Sequence, residues 1–191
     1  YEEEALAARV ALYHGRMGLI LTCTGAVDFH ENVYVREIIV ENLFPERSEV
    51  RLFFSHDFNL SGNSIGDTAV FDPHAGGVVH YKGSRYFLAN GITDDSGSIS
   101  QYAVGVKNVG GREGTFRDAE DGILSGNAVA QGSVDSVIAL HLDLEGHGSG
   151  AAFYWICAGE KWDEVRRLDG LVKHKHPRTL IKRTAAYWRL W

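Results

Sequence analysis

A chain of 191 residues has room for one large domain, or one domain and an appendage, and its 45% apolar and 23% charged residues are those of an ordinary globular protein. A formal charge of −6 argues against the basic surface that supplies most nucleic-acid affinity. No apolar run approaches the roughly 18 residues that cross a bilayer, and nothing near Tyr1 reads as a secretory signal, so the expectation is a cytoplasmic protein with no nucleic-acid or membrane partner.

Glycine is frequent at 22 and proline rare at 3, which suits tight turns between strands. Residues 5–13 and 19–29 read as strands around a turn at 14–18, and Gly25 inside the second suggests a bulge or bend. Residues 33–60 form the centre of the pattern. Two alternating runs flank the polar turn 43–48, which reads as a hairpin. In the second run Val50, Leu52 and Phe54 share one face and Arg51, Phe53 and Ser55 the other. In the first, Ile38 and Val40 share a face while Ile39 is apolar on the opposite side. Strands apolar on both sides belong in a sandwich of two sheets, the plainer alternative being an exposed hairpin.

After a Gly/Ser/Asn turn at 60–67 come short strands at TAVFD, GVVHYKG and RYFLAN, a turn at 91–98, and one more strand at ISQYAVGV. This spacing indicates a sandwich or barrel, not βαβ units. Residues 108–132 differ, with six glycines, an acidic patch and no clear period; long irregular loops in compact domains are often functional. The sandwich resumes with SVDSVIALHLDLEG, whose expected partner is AAFYWICAG. Beyond Gly159, Trp162, Val165, Leu168, Leu171 and Val172 recur at helical steps. Gly170 weakens that helix by about 1 kcal/mol relative to Ala, and Pro177 opens a second. The division is therefore a sandwich at 1–159 and a helical segment at 160–191. Trp162, Tyr187, Trp188 and Trp191 are more aromatic surface than the sandwich is expected to bury, and they are candidates for docking on another domain. A start at Tyr1 without Met and an end on TAAYWRLW read as a fragment of a longer protein.

For chemistry, Asp118, Glu120 and Asp121 in RDAEDG offer carboxylates for acid/base work or calcium, but without the order of oxygen ligands of a calcium loop. The alternative is that they cap turns and pair with Arg112 or Arg117. His56, His80 and His141 sit on strands, where a hydrogen-bonded neighbour is the ordinary role, and no histidine or cysteine pair has zinc spacing. Ser61 to Ser64 lacks the nucleophile-elbow pattern, and Lys107 precedes its glycines, so no phosphate loop forms. Tyr81 and Tyr86 can stack on sugar where exposed, or fill the core. Cys23 and Cys157 read as two buried free thiols, a disulfide being the alternative. No catalytic constellation, metal site or cofactor site emerges.

The order VREIIVENLFPERSEVRLFFSHDF, GDTAVFDP, VVHYKGSRYFL, QYAVG, FRDAEDGILSGN, GSVDS and HPRTLIKRTAAYWRLW resembles the N-terminal region of bacterial and archaeal glycoside hydrolase family 15 proteins, the glucoamylase-, glucodextranase- and trehalase-like enzymes. The resemblance implies a mainly β fold, a large antiparallel two-sheet supersandwich similar to galactose mutarotase. It implies a helical linker at 160–191 towards an (α/α)6 barrel that holds two catalytic glutamates for inverting hydrolysis of α-glucosides. No residue of this chain matches either glutamate. Under this resemblance the chain is a non-catalytic domain whose partners are its own barrel and an α-glucan or trehalose-type sugar. Arg117, Asp118, Glu120, Asp121, Tyr81 and Lys82 are the candidates for contact with sugar or barrel. A carbohydrate-binding module is the alternative, and a mutarotase-like site, with His80 or His141 beside an Asp, a third.

Overall fold

The computed structural model describes residues 5–190 apart from 64, 96, 109 and 112. Eleven strands and two helices are present among them: β1 (Ala7–His14), β2 (Leu19–Val27), β3 (Val33–Asn42), β4 (Ser48–His56), β5 (Asp67–Asp72), β6 (Gly77–Lys82), β7 (Arg85–Thr93), β8 (Gln101–Val106), β9 (Val129–Gly132), β10 (Val134–Leu144), β11 (Ser149–Gly159), α1 (Trp162–Lys175) and α2 (Pro177–Trp188). All pairings are antiparallel. One sheet runs β1-β2-β3-β11-β7-β6-β5-β9 and the other β4-β10-β8. The expected two-sheet sandwich is there.

Its connectivity differs from the expected hairpins. β3 and β4 do not pair; residues 43–47 carry the chain from the large sheet to the small one. The link β10 to β11 does the same, so the expected pairing of those strands is replaced by β10 with β4 and β8, and β11 with β3 and β7. Sheets pack about 10 Å apart, and five residues span up to about 17 Å, so a link of hairpin length also serves as an arch. Buried Asn42 holds the crossing: its Nδ2 donates to the carbonyls of Glu46 (2.7 Å) and Glu145 (3.2 Å), and its Oδ1 accepts from the Phe44 amide (3.1 Å).

The central strands of the large sheet are buried on both faces. Val40, Val78, Ile138, Leu140 and Ala152 fill the space between the sheets. On the other face Val35, Leu88, Phe153 and Trp155 meet Val165, Leu168, Val172 and Leu180 of the helices, which explains the two-sided apolar reading of β3. Gly25 is in regular register with Ala8 and Arg36, not in the expected bulge. A Cβ there would lie 2.9 Å from the Tyr34 hydroxyl, so the glycine makes room for that ring.

Polar pins tie both helices down. Arg166 Nε donates to Asp72 Oδ2 (2.6 Å), and Arg183 Nη2 to the buried Asp28 Oδ1 (2.7 Å). Asp169 accepts from Trp155 Nε1 (2.9 Å), Asn90 Nδ2 (3.0 Å) and Lys173 Nζ (2.7 Å). Both cysteines are free. Cys157 is fully buried under the helices while Cys23 is half-buried in the inter-sheet cluster, so the two lie on opposite faces of one sheet and cannot bridge. Burial pushes both thiols above their ordinary range.

Candidate functional site

The described residues of 108–132 hold more regular structure than their composition suggests. They contain a 3-10 turn at Thr115–Glu120 and the short strand β9. The stretch leading out of the turn lies on the outer face of the small sheet, where Leu124, Ala119 and Phe53 pack with Ala103, Val137 and Ala139. Its fixed point is Asp135, 2% exposed, whose Oδ2 accepts the Thr115 amide at 2.6 Å. Two glycines make this approach possible. Gly105 is Asp135's partner in register, and a Cβ on it would strike Thr115; a Cβ on Gly114 would lie 2.5 Å from Asp135 Oδ2.

Beside that junction lies a cleft of about 540 Å³, walled by Glu113, Thr115, Arg117, Asp118, Ser125 and Asn127. Its volume suits a small polar ligand. Of the acidic residues singled out in the sequence, Glu120 and Glu113 both accept from Arg117, and Asp121 Oδ1 caps the Ile123 amide at 2.9 Å. Arg112 lies outside the described residues. Asp118 is different: it lines the cleft with no hydrogen bond or ion pair among the described residues. The Arg117 guanidinium holds the exposed Glu113 carboxyl below the usual carboxylate range. A general acid for glycoside cleavage must instead be held protonated.

Tyr81 and Lys82 are not brought to this cleft. Tyr81 stacks on Tyr86 at 5.3 Å and meets the edge of Trp162 at 5.8 Å, under α1. Lys82 Nζ is held by Asp67 (2.9 Å), the Leu60 carbonyl (3.1 Å) and Asn63 Oδ1 (2.7 Å). Of the docking candidates, Trp162 donates to Asp72 Oδ2 at 3.2 Å and packs inside the chain. Half-buried Tyr187 stacks on Phe29 at 4.3 Å and half-buried Trp188 sits edge-on to Tyr187 at 5.3 Å. Trp191 lies outside the described residues.

A second polar cluster escaped the sequence reading because it forms across the two sheets. His56 Nδ1 meets Ser136 Oγ at 3.0 Å, His56 Nε2 meets the Tyr154 hydroxyl at 2.8 Å, and His80 Nε2 meets the same Ser136 Oγ at 2.7 Å. Burial, with His80 nearby, lowers His56 to about 3, and burial lowers His80 to about 4. His141, by contrast, is partly exposed beside Glu49 (3.3 Å). Of the two histidines weighed for a mutarotase-like site, His80 is taken up by Ser136, and His141 lies 4.0 Å from Asp143.

No protein-family profile matches the chain, and no curated protein does. Solved structures do match. A bacterial glucoamylase complexed with acarbose aligns with 98% of this chain at a TM-score of 0.66 and 10% identity. A putative kojibiose phosphorylase from the human microbiome aligns with 95% at 0.53 and 9% identity. The likeness is one of fold. The chain spans 27% of the glucoamylase and 22% of the phosphorylase, so what it shares with each is one sandwich region of a longer polypeptide. No helix among the described residues is long and apolar enough to cross a membrane.

Proposed function

We propose that this chain is the non-catalytic β-sandwich domain of a glycoside hydrolase acting on α-glucosides with inversion, and that it braces an (α/α)6 catalytic barrel. The observation that carries this reading is coverage: nearly all of this chain, 98%, corresponds to 27% of a glucoamylase. The ordered sequence motifs support the same family. The ionised, arginine-paired Glu113 supports a binding or bracing role for the cleft over acid catalysis. In this reading Arg117, Asp118, Glu120 and Asp121 face the barrel or a sugar at its mouth, and Tyr187, Trp188 and Trp191 belong to the aromatic end that meets the barrel.

The test is glucose release from trehalose, maltotriose and isomaltotriose, by residues 1–191 and by a longer polypeptide that carries them. Activity confined to the longer chain is the expected result, and the preferred sugar names the linkage. Hydrolysis by residues 1–191 alone would overturn the assignment. The polar cleft favours one second reading, a carbohydrate-binding module, which takes sugar beside Asp118 because the Tyr81 and Tyr86 rings are taken up by Trp162. Titration with maltooligosaccharides decides it: no heat at millimolar sugar retires the module.

A further inference from the structure

The outer face of the large sheet is only partly roofed. Beside α2 the strands β1 and β2 emerge from under the helix, and a groove of about 510 Å³ follows the junction. Arg9, Thr24 and Glu37 form one row across β1, β2 and β3, with Thr22 and Ile39 in the next. These make the strand wall. The helix wall carries Arg178, Lys182, Ala185 and Arg189, at steps of four, three and four residues, which is one face of a helix.

Charge is what sets this groove apart. Four cationic side chains line it, and among the described lining residues the one carboxylate is Glu37, which accepts from Arg178 Nε at 2.6 Å; Arg178 also reaches Asp94 at 3.4 Å. Arg9 and Lys182 meet no carboxylate among the described residues. In a chain of formal charge −6, positive charge gathered in a concave place runs against the background and concentrates anions there. Cations line both walls, and Thr22 and Thr24 sit on the strand wall beside Arg9. Such convergence fits a compact, multiply charged oxyanion better than an extended acidic strip, because guanidinium and ammonium groups donate to several oxygens of one phosphate. The volume is that of a small-molecule site.

We infer that the groove between β1, β2 and α2 binds a phosphate-bearing small molecule, gripped by Arg9 and Lys182 from opposite walls. Two sources share this chemistry, free inorganic phosphate and a phosphorylated sugar. The test is phosphorus-31 NMR titration of residues 1–191 at low ionic strength with inorganic phosphate and with glucose 6-phosphate, and calorimetric titration with neutral glucose as control. Saturable binding of a phosphate species is expected, and Arg9→Gln with Lys182→Gln weakens it about a hundredfold, since each of the two lost charged hydrogen bonds counts for about a tenfold change. Both side chains are exposed, so the fold is not at stake, and Lys175→Gln, elsewhere on the surface, leaves binding unchanged. Equal affinity for the two phosphates identifies the phosphate group itself as the ligand; tighter binding of glucose 6-phosphate identifies a phosphosugar. No saturable response to either at millimolar concentration overturns the inference, as does undiminished binding by the double variant. Capture of an oligoglutamate peptide without phosphate binding overturns it in favour of an acidic polypeptide. None of these outcomes depends on which sugar the parent enzyme cleaves.

Discussion

Ser136 stands between His56 and His80 with Tyr154 at the far side, and the order of donors that satisfies all four groups leaves both imidazoles neutral. Tyr154 O–H donates to His56 Nε2, His56 Nδ1–H to Ser136 Oγ, and Ser136 O–H to His80 Nε2; the tautomers are assigned from this network. Burial pushes the Tyr154 phenol up, which keeps it a donor. A proton added to either ring breaks the sequence in a dry place. The sign follows from linkage. Both folded values, about 3 and about 4, lie below the free value of about 6.5. Above pH 6.5 neither state takes up protons there, and stability is flat. Below it the unfolded chain binds protons that the native chain refuses, so stability falls with pH towards pH 4. His80 alone contributes a loss of about 3 kcal/mol across that window. Asp72 and Asp95 are also lowered, but from 3.8, so their contribution begins at lower pH. Urea midpoints between pH 7.5 and 4.5 check the point, and His56→Gln with His80→Gln flattens the slope; a wild-type profile flat over that range refutes it.

Asp118 asks the opposite question at the same scale. It holds nothing among the described residues, so Asp118→Ala is expected to change stability by less than about 0.5 kcal/mol. Under the proposed function it costs activity or sugar affinity in the parent enzyme by about 1 kcal/mol, several-fold in kcat/KM. Unchanged kinetics together with an unchanged Tm remove the residue from any functional role. Asp135→Ala is the contrasting variant. It deletes the buried acceptor of the Thr115 amide and loosens the loop, so it lowers Tm and activity together.

At the scale of elements, α1 is joined to the sheet through Asp169, which accepts from the Trp155 indole, the Asn90 amide and Lys173. Asp169→Ala leaves the buried Trp155 indole without an acceptor and frees one of the two Asn90 Nδ2 hydrogens, the other staying on the Ala75 carbonyl at 2.9 Å, a cost of about 2 kcal/mol at 1–3 kcal/mol for a buried donor left unpaired. Asp169→Asn keeps an acceptor oxygen and costs less. Chemical denaturation followed by Trp fluorescence separates the two variants; equal midpoints would show that the apolar seam alone holds the helix.

The same elements show what a sequence reveals. Strands were legible because alternation is a local property, and α1 because Val165, Leu168 and Val172 repeat at helical steps. Pairing was not legible. Residues 43–47 look like a turn whether β4 folds back on β3 or arches to the other sheet, and the bonds that hold the arch, Asn42 to Glu46 and Glu145 and His147 to Phe44, join residues up to about a hundred positions apart. β9 was hidden by its four residues, VAQG, half of them exposed. At the cleft, the acidic loop stood out by composition, and the pairing of Glu120 with Arg117 was anticipated. Asp135 was not, because a carboxylate within an alternating strand reads as a solvent-facing residue. Its burial comes from a loop 20 residues away in sequence.

For the whole molecule, the division at residue 159 becomes a question about cooperativity. The helices shield Val35, Leu88, Phe153, Trp155 and Cys157 of the large sheet, all at or below 1% exposed. Full burial of each large apolar side chain is worth about 1.5–3 kcal/mol. Uncovering even four of them removes about 6 kcal/mol or more, against a usual domain stability of about 5–15 kcal/mol. The ion pairs of Asp28 and Asp72 would also lose their arginines, leaving two buried carboxylates with part of their partners gone. Residues 1–159 alone are therefore expected to aggregate or to lose fixed tertiary packing, with near-UV circular dichroism lost while strand signal persists. Intact residues 1–191 are expected to unfold in one transition, with fluorescence and far-UV signals coincident. If residues 1–159 instead remain monomeric with native near-UV dichroism, the sandwich is self-sufficient and 160–191 is a detachable arm. The first outcome makes α1 and α2 a rigid part of the sandwich, so a domain joined beyond α2 would be oriented by the large sheet itself; the second would leave its orientation free.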